Sequence, residues 1–226
     1  MDARLALIIP TLNEAANIAA AIDKARLLEP AEIIVVDGGS DDGTCEAASA
    51  ADRILIAPRG RASQQNAGAA ASCGDMLLFL HADCWLAPGS LEQIGAAMGD
   101  ERCVGGCFRQ VMDAEDWRYR WLERGNALRV RLWGLAYGDQ GIFVRREVFN
   151  RLGGFPSLAL MEDLFFMKRL RREGHIALLD GPLHVSARRW EQQGVLRQTA
   201  RNWWMTALAR VGVSPNRLAG FYPEVR

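Results

Sequence analysis

Three times in the first 80 residues a short apolar run stops abruptly at a polar motif. Residues 5–9 (LALII) stop at PTLNE, residues 32–36 (EIIVV) at DGGSDDGT, and residues 76–80 (MLLFL) at HADC. An unbroken apolar run of this length describes a strand buried on both faces. Helix patterns fill the intervals. Thr11 and Asn13 offer caps for a helix reaching about residue 28, and a second helix covers residues 45–51. A third strand, 53–57, leads through PRGRASQQNAGAAAS into an alanine-rich helix, and Ser90 with Gln93 reads as a capping box opening the next. Strand–helix alternation over residues 1–100 predicts βαβ units in a mainly parallel α/β sheet. Ligands sit at the carboxyl ends of such strands, so Asp37, Arg59, Arg61 and Asp83 should converge there.

Beyond residue 100 the pattern loosens. Residues 104–111 read as a strand and 117–133 as a helix, with Trp117, Trp121, Leu128 and Leu132 on one side and several arginines elsewhere. Residues 141–145 read as a strand, GGFPSLALMED as a loop, 164–172 as a helix ended by Gly174, and 176–179 as a strand. Residues 191–211 read as an amphipathic helix carrying Trp203 and Trp204. The 226 residues predict a single domain with a nucleotide-binding half (1–100), an acceptor-side half (101–187) and a basic helical extension (188–226). Net charge is zero but uneven: residues 1–100 carry 14 acids and 6 bases, leaving +8 for the remainder. That balance excludes a basic protein tracking nucleic-acid phosphates and leaves the acidic half suited to a cation. Five cysteines without a C-x-x-C read as buried thiols of a reducing compartment. The first residues read as a strand, not a signal peptide, and no apolar stretch reaches the ~20 residues that cross a bilayer. The expectation is a cytoplasmic, soluble or peripheral protein.

Four constellations carry chemistry, and each has a plainer structural reading. DGGSDDGT sets a carboxylate and glycines at a strand end, suiting either a nucleotide or an ordinary capped turn. In FLHADC, Asp83 follows a buried strand and must be satisfied, by a divalent cation shared with phosphates or by capping the next turn. His81 is either a second ligand or a hydrogen-bonded histidine. Glu162 and Asp163 in MEDLFF open a helix, where acids also simply complement the dipole. Arg59 and Arg61 precede a helix start, as an anion site or as surface arginines. The glycine signatures of P-loop and Rossmann proteins are absent.

In order and spacing, IIPTLNE, VVDGGSDDGT, LFLHADC and GGFPSLALMEDLFF resemble the family 2 glycosyltransferases of the GT-A fold, over about residues 4–180. GRASQQNAGA, YGDQGIFVRR and SARRW further resemble a bacterial subgroup labelled selenodomain-associated or arsenosugar-biosynthesis transferases. The resemblance implies a nucleotide-diphosphate sugar donor, Mg²⁺ or Mn²⁺, an unidentified acceptor and inversion at the anomeric carbon. It assigns Pro10, Thr11, Asn13, Glu14 and Asp37 to the nucleotide pocket, with Gly38, Arg61, Asn66 and Ala82 also on the donor. Asp83 matches the last acid of the D-x-D metal motif, and Asp163 the base of the family's E-D pair, with Glu162 its neighbour. Two positions depart from the pattern: Gly38 stands where a second acid is usual, and His81 stands at the first acid of D-x-D, leaving the metal one charge fewer.

Two other readings fit the same residues: a nucleotidyltransferase on a similar sheet, and a non-catalytic nucleotide-sugar-binding module. Gly153 and Gly154 predict a loop able to close over a donor. Residues 188–226, with seven arginines, two glutamates and three tryptophans, predict a peripheral contact with a membrane or an anionic partner.

Overall fold

Each apolar run of the first half is a strand, and its residues alternate between two cores. In β1 (Leu5–Thr11), Leu5, Leu7 and Ile9 join one apolar cluster while Ala6 and Ile8 join the other. The same division holds for Ile33 and Val35 against Ile34 and Val36 in β2 (Glu32–Asp37), and for Met76 and Leu78 against Leu77 and Phe79 in β4 (Met76–Phe79). Successive strand side chains point to opposite faces, so an unbroken apolar run requires cover on both. The computed structural model describes residues 4–187 and, beyond them, residues 194, 201, 204, 205, 208, 213, 215 and 218.

The cover comes from helices. Ile18, Ile22 and Ala25 of α1 (Ala15–Arg26) and Ile94 and Met98 of α4 (Ser90–Met98) fill the first core. Ala62 and Ala69 of α3 (Arg61–Ala71), Val148 and Phe149 of α6 (Arg146–Arg151), and Leu164, Phe166, Met167 and Leu170 of α7 (Glu162–Leu170) fill the second. The eight strands follow the order β3-β2-β1-β4-β7-β6-β8-β5, with β3 (Arg53–Ile56), β5 (Cys84–Leu86), β6 (Cys103–Met112), β7 (Ile142–Arg145) and β8 (His175–Val185). Pairing is parallel from β3 through β4. It turns antiparallel where β7 meets β4, so the mainly parallel sheet expected holds for the first half and becomes mixed in the second.

Several local expectations are corrected. Thr11 and Asn13 do not cap α1: Thr11 ends β1, and Asn13 sits in the left-handed region at φ 54° ahead of Glu14. The helix expected at 45–51 is the single turn α2 (Thr44–Ala47). The capping box is absent, because the left-handed Gly89 precedes α4 and Ser90 Oγ donates back to the Ala87 carbonyl at 2.6 Å. Gln93 instead exchanges two hydrogen bonds with the Gly181 backbone, tying α4 to β8. β5 and α6 were not anticipated. Cys73 is exposed and Cys45 half-buried, whereas Cys84, Cys103 and Cys107 are buried as expected. Helix α5 (Trp117–Trp133) has the predicted bounds, but it docks through Tyr119, Ala127, Arg129 and Val130, and its tryptophan–leucine side faces outward. The amphipathic helix expected over 191–211 lies largely outside the described residues. Among the described residues no helix is long and apolar enough to cross a membrane.

One close approach sets the height of α3 above the sheet. A Cβ on Gly68 would lie 2.5 Å from Ile8 Cγ2 and 3.0 Å from Val36 Cγ2. Both partners are fully buried and cannot move aside. Gly68→Ala is therefore expected to lower stability by about 1–3 kcal/mol. A thermal melt should register roughly 2–4 °C per kcal/mol. An unchanged melting temperature would mean that α3 lifts freely.

Candidate active site

The polar residues gather at the carboxyl edge of the parallel strands, as the apolar interior of the sheet demands. Thr11 and Asp37 end β1 and β2 as register partners. Asp37 is 1% exposed. Its carboxylate accepts from the amides of Gly39 and Ser40 at 2.8 Å, from Ser40 Oγ, and from Thr11 Oγ1 at 3.4 Å. Burial works against its charge, but the Ser40 and Gly39 hydrogen bonds outweigh it and hold the carboxyl below its usual range. Asp37 thus braces the turn that follows it.

That turn is laced to the loop after β1. The Asn13 amide donates to Ser40 Oγ at 2.8 Å, the Asp41 amide to Asn13 Oδ1 at 3.2 Å, and the Glu14 amide to Thr44 Oγ1 at 2.9 Å. Pro10 is half-buried in β1, paired with Val36. Beneath both loops lies Gln64, whose Nε2 donates to the carbonyls of Thr11 at 2.6 Å and Val36 at 2.9 Å. A Cβ on Gly38 would come within 3.2 Å of the Gln64 amide, so glycine suits the position where the family pattern has an acid. Gln64 lies in GRASQQNAGA, where nothing local sets it apart from Gln65.

The second group forms around α7. Glu162 is its first residue and is 4% exposed. Its pKa is pushed up to about 7 by burial and by the adjacent Asp163 charge, with Arg61 opposing. Asp163 is half-buried and accepts from the Gly138 amide and from the Leu164 amide at 2.6 Å. A Cβ on Gly138 would lie 3.1 Å from His81 Nε2 and 3.2 Å from Asp163 Oδ2. His81 and Asp163 therefore flank one glycine, although 82 positions separate them in the chain. Asp83 stands half-buried two residues on from His81, its Oδ1 3.5 Å from Cys84 Sγ, and Ala82 between them is buried. Among the described residues no three His, Cys, Asp or Glu side chains form a ready metal cage. The donor set of Asp83 and His81 fits a Mg²⁺- or Mn²⁺-type ion that takes its remaining ligands from phosphates and water.

Asn66 of α3 also holds the loop before α7. Both ends of the Asn66 amide are engaged by the Phe155 backbone at 2.9 Å, which pins the loop before α7 to α3. Arg169 adds bonds to the carbonyls of Leu152 and Gly154 at 3.0 and 2.6 Å, and Phe155 packs among Phe79, Phe149 and Phe166 at centroid distances of 4.5–5.7 Å. Gly153 and Gly154, at φ 72° and 71°, open a loop whose start is tied to Arg169 and Asn66. Arg61 is exposed at the first turn of α3, near enough to Glu162 to oppose the rise in its pKa.

A buried arginine frames the Gly138 turn from behind. Arg129 donates to the Leu135 carbonyl at 2.9 Å, to Asn126 Oδ1 at 2.7 Å and to Gln140 Oε1, and stacks 3.6 Å from the Tyr137 ring centre. Burial lowers its pKa, with Tyr137 and Asp139 opposing. Nothing in the helical pattern of α5 distinguished this arginine from its exposed neighbours.

Residues 6–153 match the profile of glycosyl transferase family 2. The chain belongs to that family. This glycosyltransferase is 28% identical over 205 residues to PGL/p-HBAD biosynthesis glycosyltransferases of Mycobacterium tuberculosis (strain ATCC 25618 / H37Rv) and Mycobacterium bovis (strain ATCC BAA-935 / AF2122/97), covering 85% of this chain and 78% of theirs. Among solved structures it is similar to a mannosyltransferase from Pyrobaculum calidifontis in complex with GDP-Man and Mn²⁺ (TM-score 0.64, 19% identity, 95% of this chain and 66% of that one). A second is glucosyl-3-phosphoglycerate synthase from Mycobacterium tuberculosis in complex with Mn²⁺, UDP and phosphoglyceric acid (TM-score 0.62, 19% identity, 93% and 79%). S. aureus TarS matches at TM-score 0.64 and 14% identity, and this chain covers 60% of its length. These likenesses place the glycosyltransferase in the GT-A fold. The family sets aside the nucleotidyltransferase reading.

The raised Glu162 pKa has a consequence for stability. Below about pH 4.5 the carboxyl is protonated both folded and unfolded; between there and about 7 only the folded state keeps the proton. Stability should therefore fall as pH rises through this window, by up to about 3 kcal/mol, and level off above it. Glu162→Gln should flatten the slope in urea unfolding at pH 5 and pH 8. The same pH dependence in both proteins would place the proton elsewhere.

Proposed function

We propose that this glycosyltransferase moves a sugar, with inversion, from a nucleotide-diphosphate donor to an acceptor hydroxyl, assisted by a divalent metal. The observation that carries the reading is the half-buried Asp163 carboxylate, held by the Gly138 amide beside His81 at the carboxyl edge of the sheet. A solvent-reachable carboxylate fixed by backbone donors is placed to accept a proton. Its neighbour Glu162 is enclosed, 4% exposed, and so is less able to reach an acceptor hydroxyl. The structural neighbours carry UDP, UDP-GlcNAc or GDP-Man, and two of them Mn²⁺, in support of such a donor and metal.

The acceptor oxygen attacks the anomeric carbon, and Asp163 takes the hydroxyl proton. The bond from that carbon to the diphosphate breaks, its electron pair leaving with the phosphate oxygen. Attack opposite the leaving group inverts the centre. Asp83 and His81 would hold Mg²⁺ or Mn²⁺, which when bound supplies positive charge to the departing diphosphate. Arg61 adds charge from the α3 start. The loops laced by Asn13, Ser40 and Thr44, with Gln64 beneath, would form the wall for base and ribose. The likeness to the selenodomain-associated subgroup belongs to this proposal, as does the division of one domain into donor and acceptor halves.

Asp163→Asn should bind donor normally while turnover falls by about 10²–10⁴-fold, and Glu162→Gln should fall less. Turnover of both variants on a common acceptor decides between them, and a larger loss in Glu162→Gln moves the base to that residue. Asp83→Asn should lose the metal-dependent part of donor binding. In a thermal-shift panel of UDP- and GDP-sugars with and without Mn²⁺, donor at 100 times its Kd should add about 2.7 kcal/mol to the parent. An Asp83→Asn shift equal to the parent's would remove Asp83 from the metal.

A further inference from the structure

Helix α5 presents to solvent what a soluble helix ordinarily buries. Trp117 is 69% exposed, Trp121 66%, Leu128 55% and Leu132 61%. At 100° per residue these four fall within about 60° of arc, forming one stripe over four turns. Arg124 and Arg131 are exposed within about 40° of one side of the stripe, and Arg118 lies about 40° beyond the other. The helix has five arginines and one acid, and that acid is turned inward: Glu123 accepts from the Met112 amide at 2.7 Å and pairs with Arg120 at 3.0 Å.

We propose that this face of α5 docks the enzyme onto an anionic lipid bilayer. Tryptophan and leucine between arginines match the boundary between acyl chains and headgroups: rings and branched carbons enter, and guanidinium groups stay with the phosphates. The exposed Arg124 and Arg131 supply the charge complementary to an anionic leaflet, while at the helix start Arg118 is paired with Asp116. A contiguous exposed apolar stripe of this kind marks an interaction surface. The helix ends five residues along the chain from Gly138, whose amide holds Asp163.

The test is co-sedimentation of the full chain with vesicles of phosphatidylglycerol and phosphatidylcholine, and with phosphatidylcholine alone. The protein should pellet with the anionic vesicles, at least about tenfold less with the neutral ones, and less at high salt. Trp121→Glu/Leu128→Glu should cut partitioning at least about tenfold while melting like the parent, since both side chains are exposed. Trp121→Ala alone should weaken it in the same direction, and Trp204→Ala, an exposed tryptophan outside α5, should leave it unchanged. Three results would overturn the proposal. They are full recovery in the supernatant, binding lost in Trp204→Ala but kept in the α5 variants, and a solution dimer that the α5 variants dissociate, which would assign the face to a second copy of this chain.

Discussion

The polar edge of this molecule depends on central strands with no wet face. Strands β1, β2 and β4 are sealed by helices on both sides, so a charge along their length would lose its hydration without compensation. Charges can enter only where the strands end. Asp37, His81 and Asp83 stand there, and β7 re-enters from that same edge, bringing Gly138 alongside. Dense burial and a concentrated polar edge are therefore one arrangement.

Within that edge, most polar side chains are spent on backbone. Asp37 holds its own turn, Gln64 bridges two strand ends, Asn66 grips Phe155, and Arg129 supports the turn bearing Gly138. Beside them at this edge stand His81, Asp83, Asp163 and the arginine at the start of α3. A rigid frame is how a site holds reacting atoms without moving to meet them. The left-handed Met161 directly before the two acids is consistent with a backbone held in place by its surroundings.

The strands of the first half and the limits of α5 were legible because their signals are local, being unbroken apolar runs and a helical period ending at Gly134. The motifs at the strand ends were legible for the same reason. What escaped was non-local. Ser90 and Gln93 carry the spacing of a capping box, but Gln93 is claimed by Gly181, 88 positions away, and Asn66 is claimed by Phe155, 89 away. Arg129 and Arg131 look alike in sequence, and only the turn packed behind α5 makes one buried and the other exposed. β5 and α6 are too short, at three and six residues, for a period to show.

The strand order also dictates when the enzyme can come into being on the ribosome. The parallel quartet β3-β2-β1-β4 is complete by residue 79, yet β4 has no second neighbour until residues 142–145 emerge. β5, directly behind Asp83, waits for residues 183–185 of β8. Until then the nascent chain carries an open, apolar sheet edge and an unanchored HAD segment, a state exposed to wrong pairing. Folding of the candidate metal-binding segment is thus coupled to strands made about a hundred residues later, and long-range pairing of this kind is intrinsically slow.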